Sequence, residues 1–264
     1  MIIFKWLLNV VKEFFGRVTL SVIGEPVAGC LAENEPPRPM MSSEQVKALP
    51  SFGGQDGVID MDVTPTFNQG KTPYCVVFGV INAIETMLIG KYMDKAIYFD
   101  RFFYASKLIE AGILSERGAY IHRVLNWFHT YGITDTRGNE YGIEEAEAVP
   151  VAEIFNVMDK WYPLVTGAFW GYPYHDSNYI FLPKTLSTGG GHCTVFNKAY
   201  GLNTVTFNDG TTNPQFMVGT ETSWGDMFGI KLKTGKGSGI LYVLETDLPK
   251  FFTTYMIPDV HKIT

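Results

Sequence analysis

Among the residues able to do chemistry in this chain, Cys75 has the most favourable setting. It follows Thr72-Pro73-Tyr74, where a capping hydroxyl and a proline at the first helical position signal a helix start. A thiol in a first helical turn faces unpaired backbone N–H groups and the positive end of the helix dipole. Both favour the thiolate, which is the nucleophilic form. The competing reading is a packed, inert thiol, because free cysteine is among the most buried residue types.

A nucleophilic thiol needs a base. Of the five histidines, His122 and His129 fall inside a helical pattern, His175 in a Gly-Tyr-Pro-Tyr loop, and His261 in the tail. His192 stands apart. It follows Gly189-Gly190-Gly191 and opens the strand-like run Cys193-Thr194-Val195-Phe196, 117 positions after Cys75. There it can take the thiol proton and later return it to a leaving amine. Cys193 is its strand neighbour and so faces the opposite way, which excludes the two as metal ligands. The glycine run lacks the Lys and Ser or Thr of a phosphate loop and precedes a strand, not a helix. Neither a metal nor a cofactor is expected.

The segment Asn68-Gln69-Gly70-Lys71-Thr72-Pro73-Tyr74-Cys75-Val76-Val77-Phe78 resembles the active-site segment of papain-like cysteine peptidases. There, Gln-Gly precedes Cys-Gly-Ser-Cys-Trp, a small residue and Phe. Gln69 lies six positions before Cys75, the family's spacing between its oxyanion-hole glutamine and its nucleophile. The resemblance implies that the Gln69 amide and the Cys75 N–H hold the developing oxyanion. It also implies a glycine-flanked histidine base, matching His192, and a peptide or protein substrate. Two positions depart from the pattern. Thr72 replaces the first motif cysteine and Val76 replaces the Trp, so the family's disulfide is absent and packing beside the cleft differs.

The residue that orients the histidine is divided between two segments. The family has an Asn after a hairpin, leading directly into Ser-Trp-Gly. Here Asn208 ends Thr204-Val205-Thr206-Phe207, sixteen positions after His192, whereas Ser223-Trp224-Gly225 follows Thr222. Asn208 is preferred because a hairpin through Gly201-Leu202-Asn203 would return it to His192. Thr222 and Asp209 are the alternatives, and Trp224 is the residue expected to shield the contact.

These residues must be positioned by a core, and the chain can supply one. Its 264 residues, 46% hydrophobic and 18% charged, suit one large domain or two lobes sharing a cleft. Helical patterns cover Thr72 to Gly90, Asp100 to Ala111, Ala119 to Tyr131 and Val151 to Lys160. Strands follow at Leu164 to Trp170, His192 to Tyr200, Thr204 to Phe207 and Gly239 to Leu244. This is an α+β arrangement. In the papain-like version a helical lobe carries the nucleophile and an antiparallel β lobe carries the histidine.

Residues 1–25 read as an amphipathic helix, residues 26–48 as a linker rich in proline and charge, and 49–264 as the catalytic domain. The helix has a narrow polar stripe through Lys5, Asn9, Lys12 and Gly16, suited to docking on the domain or a partner, or to lying at a membrane surface. Residues 1–48 are shorter than the usual inhibitory pro-segment, so no segment is assigned to restrain activity. A net charge of −6 with no basic run argues against nucleic acid. Three cysteines cannot all pair within a monomer, which favours a reducing intracellular compartment. Cysteine-type peptide hydrolysis is the leading expectation. A cell-wall amidase or transglutaminase using the same Cys-His pair, or an inactive papain-like binding module, are the alternatives.

Overall fold

The structure, a computed structural model, describes residues 29–32, 39–50, 59–61, 67–170, 180–181, 190–206, 212–225, 228–230 and 238–263. The expected N-terminal amphipathic helix, His175, Asn208 and Asp209 lie outside them. Helices α1 (Ser43–Ala48), α2 (Cys75–Tyr92), α3 (Arg101–Glu110), α4 (Ile121–Tyr131) and α5 (Ile154–Asp159) precede most of the long strands. Ser42 caps α1 in a reciprocal capping box with Gln45. This short helix, inside the stretch read as linker, is held against α5 by Lys160, whose Nζ donates to the carbonyls of Lys47 and Leu49.

Seven strands form the main sheet: β1 (Ile59–Asp60), β4 (Glu147–Val149), β5 (Leu164–Phe169), β6 (Gly191–Thr206), β7 (Thr212–Glu221), β8 (Ile240–Leu244) and β9 (Thr254–Met256). Their order is β4-β9-β5-β6-β7-β8, with β1 also pairing β6, and every pairing is antiparallel. A smaller sheet joins β2 (Ile133–Thr134), β3 (Glu140–Ile143) and β10 (Val260–Ile263) beside the helices.

Two sequence expectations change here. First, β6 is one strand of sixteen residues, not two strands around a turn at Gly201-Leu202-Asn203. That stretch carries a register shift in its pairing with β7, so the chain bends without reversing. Second, α2 does not end at Gly90. It continues to Tyr92 and closes on Met93 in the left-handed conformation.

The helix α2 is the axis of the fold. All its residues from Cys75 to Ile89 are buried, because helices cover one side and β5 and β6 the other. Its polar residues are therefore matched inside the protein. Asn82 donates to Glu221 Oε1 at 2.9 Å, and Asn197 donates to Glu221 Oε2 at 2.5 Å, which ties α2 to both β6 and β7. Glu85 receives Arg101 in a two-pronged pair, Nη1 to Oε1 at 3.1 Å and Nη2 to Oε2 at 2.5 Å. It also accepts the Phe99 N–H at 2.9 Å. The guanidinium lies 3.3 Å from the Phe67 ring centre, which anchors the loop leading to Gln69.

Both members of the Glu85–Arg101 pair are almost fully buried, at 1% and 2% exposure. Removing one partner leaves a buried charge unmatched. Arg101→Ala should therefore cost about 3–5 kcal/mol, read as a lower urea midpoint. Arg101→Lys should recover little of it, because an ammonium cannot reproduce the planar fork.

Candidate active site

Cys75 is the first residue of α2. Tyr74 occupies the cap position without a side-chain cap bond. Thr72 is not the cap, since its hydroxyl donates to the Gln69 carbonyl at 2.6 Å and closes the preceding loop. His192 is the second residue of β6, paired with Ala168 of β5. The two segments meet where α2 crosses the start of β6, and the Cys75 sulfur faces the backbone N–H of Cys193, the residue after His192. Cys193 itself points at Gly79, one turn along α2, where a Cβ would stand 2.8 Å from its sulfur. Glycine is what lets the strand approach the helix so closely.

Gln69 is buried beside them. Its Nε2 donates to the Thr72 carbonyl at 2.6 Å, and its Oε1 accepts the Ser223 hydroxyl. The Gln69 backbone N–H reaches the Ser223 carbonyl at 2.9 Å, and Asn68 bridges Trp224. Ser223-Trp224 is thereby fixed at the site. The Trp224 ring stacks on the His192 imidazole with centroids 4.1 Å apart. Trp170, which the sequence did not single out, meets the imidazole edge-on at 5.0 Å and Trp224 at 4.7 Å. Its only sequence signal is its place one residue beyond β5.

The β6–β7 pairing bears on the choice of a residue to orient His192. Pairing begins near Val195↔Glu221 and ends at Thr206↔Thr212. Thr206, two residues before Asn208, is thus about 45 Å of strand from His192. The hairpin argument that favoured Asn208 fails because the turn it needed is continuous strand. Thr222 follows Glu221, whose side chain faces α2. Alternation turns Thr222 to the other face of the sheet, which is that of His192. Its hydroxyl donates to the Gly239 carbonyl at 3.0 Å.

A segment within the stretch read as linker lies over the sulfur. Residues 29–32 cross between the lobes as a strap, pairing antiparallel with Gly191 and parallel with Ala119 through Cys30. Gly29 and Cys30 donate to the Gly191 carbonyl at 3.0 and 2.9 Å, Leu31 donates to the Ala119 carbonyl, and Ala119 donates to the Gly29 carbonyl, both at 2.9 Å. The fit depends on glycine from both sides. A Cβ on Gly29 would sit 2.2 Å from the Pro73 carbonyl oxygen, and one on Gly118 would sit 1.6 Å from that of Gly29.

Neither reactive group favours its charged form, the sulfur beneath the strap and the imidazole between Trp170 and Trp224. Burial pushes the Cys75 thiol up to about 11, although N–H groups of Cys193 and Gly29 at the sulfur pull the other way. Burial likewise pulls His192 down to about 3. Among the described residues neither imidazole nitrogen has a hydrogen-bond partner, and the Cys75 thiol is not one. The thiolate–imidazolium pair expected from the sequence is absent from this closed form, because desolvation outweighs the helix end.

This architecture has close structural counterparts. Xylellain, a cysteine protease from Xylella fastidiosa, superposes with a TM-score of 0.56 at 15% identity, over 90% of this chain and 98% of its own. ProCathepsin B S9 from Trypanosoma congolense gives 0.61 at 11% identity, over 97% and 98%. Procathepsin L 3 of Tenebrio molitor gives 0.55 at 13%, over 93% and 78%. The fold is that of the papain-like cysteine proteases. No sequence-family model matches the chain, and no curated protein is similar to it in sequence. At identities of 10–15% the likeness establishes the papain-like, two-lobed α+β fold, and function has to be argued from the site.

The buried imidazole gives the closed form a pH dependence of definite sign. His192 is neutral when covered but protonates near its ordinary 6.5 when exposed. The stability it lends to closure is thus full above about 6.5 and lost progressively toward about 3. Cys75 acts at the other end, favouring closure below about 9 and losing that effect toward about 11. Hydrogen-exchange protection of the Cys30 and Leu31 amides, corrected for intrinsic rates, should fall roughly tenfold or more between pH 7 and pH 5. In His192→Phe it should stay level; the same fall in that variant would exclude the imidazole as the cause.

Proposed function

We propose that this chain is a papain-like cysteine peptidase held latent by its own residues 29–32. The observation that carries the reading is the convergence of Cys75, His192, Gln69 and Trp224 at one end of α2, beneath a backbone strap. Xylellain is a cysteine protease, which supports peptides or proteins as the substrate class.

In the open enzyme, His192 takes the Cys75 proton and the thiolate attacks the carbonyl carbon of the scissile peptide bond. The oxyanion is held by the Cys75 backbone N–H and by the Gln69 amide. Collapse to the thioester releases the amine, which His192 protonates. Water, deprotonated by His192, then attacks the thioester and frees the acid. Thr222 is the preferred orienting residue. While it donates to Gly239, its oxygen keeps lone pairs able to accept an imidazole N–H, and it shares the His192 face of the hairpin. Trp224 covers that contact.

The strap has the geometry of a blocking segment, not of a substrate. Its Gly29 N–H is what the sulfur meets, while the Gly29 carbonyl is turned away to Ala119. No carbonyl carbon is offered for attack. Two of the similar structures, proCathepsin B S9 and procathepsin L 3, are proenzymes by name, in keeping with a latent form. A second reading, a papain-like module without activity, is favoured by one observation, the imidazole with neither nitrogen bonded.

The two readings diverge when the strap is unseated. Gly29→Val cannot fit against Pro73. It should raise both the hydrolysis of an unstructured protein such as casein and the alkylation of Cys75 by at least tenfold. Adding Cys75→Ala to it should abolish hydrolysis, a loss on the order of a thousandfold or more. Thr222→Ala should slow turnover by roughly tenfold or more, and Asn208→Ala by less. An unseated strap with an alkylatable Cys75 but no turnover would leave the inactive module as the correct reading.

A further inference from the structure

Three departures from ordinary backbone preference converge on one cavity far from the thiol. The first is Gly90, which stands inside α2, two residues before its end. Glycine weakens a helix interior relative to alanine, and here a Cβ would meet nothing within 4 Å. The space it leaves empty would accept a side chain. The second is Met93, which closes α2 at φ 54°, a conformation for which glycine is the usual choice. The third is Trp161 at φ 70°. Met93 and Trp161 are the only non-glycine residues with positive φ among the described residues.

All three line a single cavity of about 370 Å³. Its remaining walls are largely apolar, with Met61, Met87 and Val260 among them. Methionine suits a wall that adapts to a flexible guest. Two features specify the polar end of that guest. Trp161, one wall of the cavity, carries an indole N–H that is buried with no acceptor among the described residues, which is costly unless something supplies one. At the rim, Lys91 is matched to Asp259 at 2.7 Å, whereas Lys95 makes no ion pair with the described residues and is exposed. The cavity lies about 22 Å along α2 from Cys75, so it is separate from the candidate active site.

From this we infer a second ligand site, for a small amphiphile with an unbranched apolar tail and an anionic, hydrogen-bond-accepting head such as a medium-chain carboxylate. At roughly 30 Å³ per water-sized group, the volume takes about a dozen such groups, the size of decanoate. The tail would fill the space that Gly90 leaves open. The head would lie near Lys95 and accept from Trp161 once its ring turns the buried N–H toward the cavity.

Calorimetric titration of the full chain with decanoate, decanol and decyltrimethylammonium, each below its micellar range, tests this. Decanoate should bind saturably with one site, and decyltrimethylammonium at least tenfold more weakly. Gly90→Leu fills the cavity while favouring the helix. It should weaken decanoate at least tenfold without lowering the melting temperature; Gly90→Met is the second filling variant should the first fail to fold. Lys95→Ala should weaken decanoate about threefold or more and leave decanol unchanged. Trp161→Phe should weaken both. Absence of saturable decanoate binding, or undiminished binding in both folded Gly90 variants, would overturn the site. Equal affinity for the cationic amphiphile would overturn the anionic head.

Discussion

Ionisation and burial oppose one another at the start of α2, and the organisation of the site follows from that conflict. Cysteine chemistry requires a thiolate, and a helix N-terminus with a neighbouring imidazole is a sound way to stabilise one. Both aids work only where charge can exist. Residues 29–32 remove water from the sulfur and aromatic rings enclose the imidazole, so the neutral forms prevail on both groups. In the proposed peptidase, a few backbone hydrogen bonds from a short segment thus control whether water reaches the sulfur.

The strap works because its surroundings are glycine. Its own Gly29 passes Pro73 closely, Gly118 lies against its carbonyl, and Gly191 offers an acceptor from the opposite lobe. Backbone therefore meets backbone on both sides, in a pattern that does not depend on strap side chains. The same principle operates deeper in the fold, where Gly79 admits Cys193 against the nucleophile helix. Glycines without any catalytic role set how close the reactive segments come.

The Glu85–Arg101 pair and the Glu221–Asn82–Asn197 cluster explain how so apolar a helix is held at one depth and one rotation. Uniform burial gives α2 no preferred face. Buried carboxylates that must be matched do specify one, because a slip of the helix would strand a charge. The first pair fixes α2 to α3 and the loop before Gln69, and the second fixes it to the sheet carrying His192. The geometry of the candidate site is inherited from these contacts.

The helices α3 and α4, a cysteine at a helix start, the glutamine before it and a histidine near the start of a strand were all legible in the sequence. Each is written in local signals: capping residues, periodicity, glycine punctuation and motif spacing. Three matters were decided only by tertiary structure. β6 runs unbroken through Gly201-Leu202-Asn203, because pairing with β7 overrides local turn preference, and with it went the case for Asn208. Residues 29–32 read as linker, because a strap held by backbone hydrogen bonds leaves no side-chain pattern to detect. The charge state of the dyad depends on what covers it, and solvent exclusion belongs to the assembled fold, not to any stretch of chain.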